Sequence, residues 1–318
     1  MTTGGAIAPA TPLDEFLEGS GATELGELLE TIGLVASLPG VVLAVGLVAF
    51  VAFVHRGTKR EIRMILRALV VCSALIVVGA VLELAGTVSV LGSGWAEAIV
   101  DPSAHGSMLR LVGGSLLLSG VALPGDVDYG VETTRWSPTT RQSLVFVGVV
   151  LGALSFAFDG HTVSEGPRLA HALTNVAHVL AGGVWAGGVM ALLLVVLSRR
   201  ANRGARPIGH DVVRFSSVAS AALVAAAFAG LGMSLLIIDG PSDYIATDWG
   251  RLLLIKTGVV VLAAGVGAYN HFVVSPALTR QPDETLASAR VRRTLVVEAV
   301  LLVSVTVLTV YLSEASIN

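Results

Sequence analysis

Long apolar runs alternate with short polar breaks along this chain, and the run lengths fix its element plan. Roughly 17 to 25 apolar residues wound as helix suffice to cross ~30 Å of hydrocarbon. Eight such runs occur, at about 33–54, 64–85, 107–123, 142–160, 169–198, 211–239, 250–273 and 292–313. The pattern predicts an all-α polytopic bundle of about eight transmembrane helices. Between the second and third runs, TVSVLGSGWAEAIVDPSAHG is too polar to cross and is expected as an outer loop, with Trp95 lying along the interface or dipping back toward the bundle.

The polar breaks orient the bundle. Lys and Arg collect in HRGTKREIR (55–63), in SRRANRGAR (198–206) and in the ARVRR before the eighth run, which all fall on one side if the runs alternate. Basic loops stay cytoplasmic. The stretch to residue 33 has no Lys or Arg, and it falls with DGPSDYIATD (239–248) on the other side. Both termini are therefore expected outside the cytoplasm. The N-terminal stretch has neither a basic n-region nor an apolar h-region, so the first membrane helix is expected to serve as the insertion signal. The division that follows is an acidic outer segment (1–32), an N-terminal transmembrane half (33–157) and a C-terminal transmembrane half (158–318).

Composition agrees. Hydrophobic residues make up 54% of the chain and charged ones 14%, with 36 glycines and one cysteine; the mean hydropathy is +0.81. Such values belong to a protein dissolved in lipid. Small residues allow close helix approach there, and Gly183 and Gly187, at four-residue spacing, predict a packing surface. The lone Cys72 excludes an intramolecular disulfide and thiolate metal clusters. Any metal site must then use His, Met, carboxylate or backbone oxygen. No Walker A loop is present, which argues against ATP-driven pumping by this chain.

Chemistry is expected where polar side chains interrupt apolar runs. Only seven histidines occur in 318 residues, and His161, His171 and His178 gather at the outer mouth of the fifth run. On a helix, positions seven apart differ by about 20°, so His171, His178 and Trp185 share a face with Asn175 and Gly182. His178 would lie about 10 Å deeper than His171, which suits two sites, or a site plus a relay, better than one shared ion. Imidazole suits copper and zinc, and thioether adds a preference for Cu(I). Asp159, Glu83, Met108 and Met233 are further ligand candidates near the outer ends of their runs. Lys256, Asn270, His271 and Glu298 are expected to line a path deeper in the bundle. The structural alternatives pair Lys256 with Glu83, or Glu298 with Arg214 or Asn270.

In order along the chain stand Gly160-His161, His178, Trp185-Ala-Gly-Gly, Arg214-Phe215-Ser216 and Gly250-Arg251 with Lys256. Tyr269-Asn270, Pro276 and Arg292-Arg293 follow, leading to Glu298. From about residue 158 to 313 this series resembles the CopD family of copper resistance membrane proteins. The resemblance implies a non-enzymatic protein of the cell membrane that takes copper, as Cu(I) or Cu(II), from the outer side toward the cytoplasm, with His161 and His178 as the family-matched ligands. The family usually carries Arg after Tyr-Asn; this chain has His271. Copper ions, lipid, an outer copper chaperone of the CopC type and further copies of the chain are the partners this admits, and nucleic acid is not among them. The alternatives are a haem b cytochrome, for which His171 and His178 are poorly placed because they share one helix, a membrane metallo-oxidase, and a copper sensor that does not transport.

Overall fold

The computed structural model describes residues 12–122, 136, 143–158, 167–200, 208–238, 240–276 and 284–314. All regular elements among the described residues are helical. Helix α1 (Pro12–Ala49) continues into a π-helical turn, Phe50–Val54, and is followed by α2 (Lys59–Leu91) and the short α3 (Trp95–Val100). Then come α4 (His105–Ala122) and α5 (Ser143–Leu154), the latter extended by a 3-10 turn, Ser155–Phe158. The C-terminal half holds α6 (Arg168–Arg200), α7 (Gly209–Ile237) and a single turn, α8 (Asp243–Ala246). It closes with α9 (Asp248–Tyr269), its own π turn Asn270–Val274, and α10 (Glu284–Glu314).

Among the described residues, six helices are long and apolar enough to cross a membrane: Thr23–Val54, Lys59–Leu91, Arg168–Arg199, Gly209–Ile237, Asp248–Val274 and Ala289–Ser313. The chain is thus an all-α, multi-pass membrane bundle, as its hydropathy predicts. Helices α4 and α5 stand where the third and fourth spans are expected, and neither is among these six; the described stretch Ser143–Phe158 is an apolar helix shorter than the others. The first helix also begins earlier than residue 33. Its acidic outer part winds on as helix beside α2, where the Thr87 hydroxyl donates to Glu30 at 3.0 Å. The expected outer loop carries α3 and a 3-10 turn, Pro102–Ala104, with Trp95 exposed.

Helix α1 is the axis of the molecule, packed on α2 along one side and on α6 along the other. Glycines set both contacts. Gly33 faces Gly79 across the α1–α2 line, and a Cβ on Gly46 would overlap the backbones of Gly183 and Gly187 on α6. The small-residue surface expected on the fifth run is therefore in use. In lipid, where water does not drive helices together, such close approach is what supplies the van der Waals contact. Outside this axis, α4 packs on α2 and α5, α7 packs on α6, and α10 packs on α6 while carrying α9. Over their most apolar stretches 61% of α1 and of α6 is buried, against 6% of α9. Helix α9 thus meets lipid along most of its length.

Local signals explain the helix ends. The Thr58 hydroxyl accepts from the Glu61 amide, and Glu61 Oε2 accepts from the Thr58 amide at 2.8 Å, a reciprocal cap for α2. Gly92 ends α2 in the left-handed conformation, φ 57°, where a Cβ would be strained. Thr247 caps α9 by accepting from the Gly250 amide at 3.0 Å.

Candidate functional site

Helix α6 presents its seven-residue stripe as the spacing predicts, and each member meets a different neighbour. His171 is 3% exposed, and its Nε2 has no hydrogen-bond partner among the described residues. One turn deeper, Asn175 donates to the Phe156 carbonyl at 2.7 Å, which ties α6 to the end of α5. The His178 ring reaches across to α7, with Nδ1 2.9 Å from the Ala226 carbonyl. Gly230, a turn further along α7, leaves room for that ring. A carbonyl only accepts, so Nδ1 carries the proton and Nε2 keeps a free lone pair when the ring is neutral. This is the tautomer a metal ligand needs.

Below His178 the stripe ends on a carboxylate. Trp185 Nε1 donates to Glu298 Oε1 at 3.1 Å, and Asn270 Nδ2 donates to Glu298 Oε2 at 3.2 Å. Glu298 is 4% exposed. It forms no ion pair among the described residues, and both of its partners are neutral. Asn270 Oδ1 is buried without a partner among the described residues. Lys256, on α9, lies within electrostatic reach of His178 and not beside Glu83. Toward the expected cytoplasmic end, His271 Nδ1 lies 2.7 Å from the Ser216 hydroxyl of α7.

Several expected ligands have other employment. Glu83 forms a buried ion pair with Arg110, and it accepts from Ser37 and from Ser107, the latter at 2.8 Å. The guanidinium also donates to Ser155 at 3.3 Å and lies 5.3 Å from the Phe156 ring centroid. A carboxylate so occupied is a structural anchor of α1, α2, α4 and α5. Met233 is half-buried on α7, next to Gly232, which faces Thr174. Asp159 and His161 lie outside the described residues. No group of three or more His, Cys, Asp or Glu side chains among the described residues is arranged to hold one ion. His171, His178 and Glu83 face separate neighbours among the described residues.

Two clusters escaped the sequence analysis. Arg110 is one; a lone arginine within the third apolar run was its signal. The other lies at the opposite end, where His55 is fully buried between Glu61 and Asp211, with Nε2 3.6 Å from the first and Nδ1 3.4 Å from the second. Arg199 pairs with both carboxylates, at 2.7 and 2.8 Å. Arg214 donates to the Phe53 carbonyl at 2.9 Å rather than to Glu298. His55, Glu61 and Arg199 sit in basic stretches that read as solvated loops, so only the fold reveals their burial.

Comparison with known proteins places this geometry in context. Residues 210–312 match the family model CopD, Copper resistance protein D. That stretch covers α7 to α10, with Arg214, Lys256, Asn270, His271 and Glu298, and begins after the α6 stripe. The chain is 28% identical to the Copper transport protein CutJ of Bacillus subtilis (strain 168) over 202 residues, 61% of this chain and 36% of that one. It is 23% identical to the Inner membrane protein YebZ of Escherichia coli (strain K12) over 195 residues, 61% of this chain and 65% of the relative. With Copper resistance protein D of Pseudomonas syringae pv. tomato it shares 24% identity over 248 residues, 74% of this chain and 78% of the relative. The chain thus spans about a third of the length of the first relative and under two thirds of the second. No solved structure matches it.

Proposed function

From the match of residues 210–312 to the CopD family model and the likeness to a copper transport and a copper resistance protein, we propose that this chain belongs to the CopD family, binds copper at the outer side of the cell membrane and passes it toward the cytoplasm along α6. One observation carries this: the Glu298 carboxylate is buried at depth between two neutral donors, Trp185 and Asn270. A buried carboxylate with no cation beside it is costly in lipid. A cation that passes along α6 relieves that cost, and the free Nε2 of His178 offers it a nitrogen ligand above. His171, with its unpartnered nitrogen, stands first on the way in, and His161 and Asp159 precede it in sequence.

In this reading Lys256 repels a cation on the α9 side and keeps it on the α6 line, while Asn270 and His271 form the inner end. The C-terminal half, 158–318, moves the ion, and the N-terminal half, 33–157, supports α6 through the α1 contact. The chain acts as a carrier of copper rather than as an enzyme, and a CopC-type chaperone or a second copy of the chain is compatible with an outer entrance.

The test compares copper accumulation by cells with copper bound to the purified full chain. Glu298→Gln keeps the shape of the site, because Asn270 can turn its unpartnered Oδ1 toward the new amide. It is expected to abolish accumulation while copper binding and thermal stability stay unchanged. His178→Ala is expected to lower both accumulation and bound copper. Normal accumulation by a stably folded Glu298→Gln protein would reject the path.

A further inference from the structure

At the expected outer end, away from α6, the bundle holds a second chemical feature. Ile99 of α3, four residues of α4 (His105, Met108, Leu109 and Val112) and Phe158 line a cavity of about 390 Å³ that is open to its surroundings. Its wall is almost wholly apolar. The exceptions are one imidazole and one thioether, His105 and Met108, which stand three residues apart and therefore on the same side of α4. His105 is exposed, and the Phe158 ring meets it edge-on at 5.8 Å between centroids. Among the described residues His105 has no hydrogen-bond partner. Asp101, just before α4, adds a negative charge within reach of His105. The hydroxyl and amide of Ser103 hold the Asp101 carboxyl below the usual carboxylate range, and His105 contributes in the same direction.

Those parts fit a soft, singly charged ion. Thioether sulfur selects Cu(I) over harder cations, and imidazole serves copper in either state. A Cu(I) ion accepts few ligands and carries one charge, so an apolar wall does not exclude it as it would a hydrated divalent cation. We infer that this cavity is a Cu(I) entry site in which His105 nitrogen and Met108 sulfur are the ligands. The inference rests on the copper-carrying reading above and adds a capture point on α4, separate from His171 and His178. It also gives the short helix α3 a place at the site, since Ile99 forms part of the wall. No bond within the protein is made or broken; the ion exchanges its carrier's ligands for these two.

The full chain, purified in detergent without oxygen, is titrated with Cu(I) against a competing chromophoric chelator. X-ray absorption at the copper edge then reads the ligand atoms. Wild type is expected to show a copper–sulfur shell. Met108→Leu, a volume-conserving exchange, is expected to lose that shell and one bound copper while keeping wild-type thermal stability. His105→Ala should lower the bound copper to the same degree, and His178→Ala should leave the sulfur shell intact. An unchanged sulfur shell and copper content in Met108→Leu overturns the entry site but leaves the α6 path standing. A wild-type chain that binds no Cu(I) overturns both.

Discussion

Two buried glutamates show how one residue type takes opposite roles. Glu83 faces a guanidinium and serine hydroxyls, whereas Glu298 faces only an indole and an amide. The first is electrically closed; the second still has room for a cation. Removing one partner of a buried pair leaves the other charge uncompensated, at a cost of roughly 3–5 kcal/mol. Arg110→Met should therefore destabilise the protein by about that much in detergent unfolding, and adding Glu83→Gln should recover most of the loss. Equal losses in the single and double variants would show that Arg110 acts through packing on Phe156. Glu298 was legible from the sequence because any carboxylate in an apolar run demands an explanation. Arg110 carried the same signal. Its partner could not be read, because 27 residues separate it from Glu83 and nothing local couples them.

At the scale of the helix, close approach decides which glycines matter. A Cβ at Gly46 or Gly187 would run into the backbone of the facing helix, while one at Gly182 meets nothing within 4 Å. Overpacking a tight contact costs typically 1–3 kcal/mol, and alanine favours helix over glycine by about 1 kcal/mol. Gly46→Ala and Gly187→Ala should each lower thermal stability, and Gly182→Ala should leave it unchanged or raise it. A destabilised Gly182→Ala would mean that this face of α6 packs more tightly than the structure has it. The paired glycines of α6 were readable as a motif, but Gly46, which they meet on α1, was not; it lies six residues from Gly40, without a four-residue spacing. Helix ends were less readable than helix existence. The acidic start of α1 and the polar stretch before α4 look like loops by composition, and they fold as helix because Glu30 and Ile99 find partners on neighbouring elements.

Over the whole molecule, the order of the spans was legible, since it depends on local hydropathy, while their orientation is an expectation from the placement of basic residues. Cys72 is buried and is the sole cysteine, so cysteines introduced at residues 4 and 203 can be labelled against a silent background. Residue 4 should react from outside intact cells and residue 203 only after permeabilisation; the reverse would invert the bundle. The joints between distant segments were not legible. The slot that holds His55 draws Glu61 from α2, Arg199 from α6 and Asp211 from α7, three helices far apart in sequence. What delivers His55 to that slot is the π turn Phe50–Val54 directly before it. A π turn contains a surplus residue, and each residue advances a helix by about 100°. The turn therefore works as a phase setting for everything downstream. Phe53 is 61% exposed, so deleting it removes little packing, yet it returns the segment to α-helical phase and swings His55 out of its slot. Deletion of Phe53 should then cost thermal stability in the wild type and far less in a His55→Ala background; equal costs in both would mean that the extra residue sets nothing.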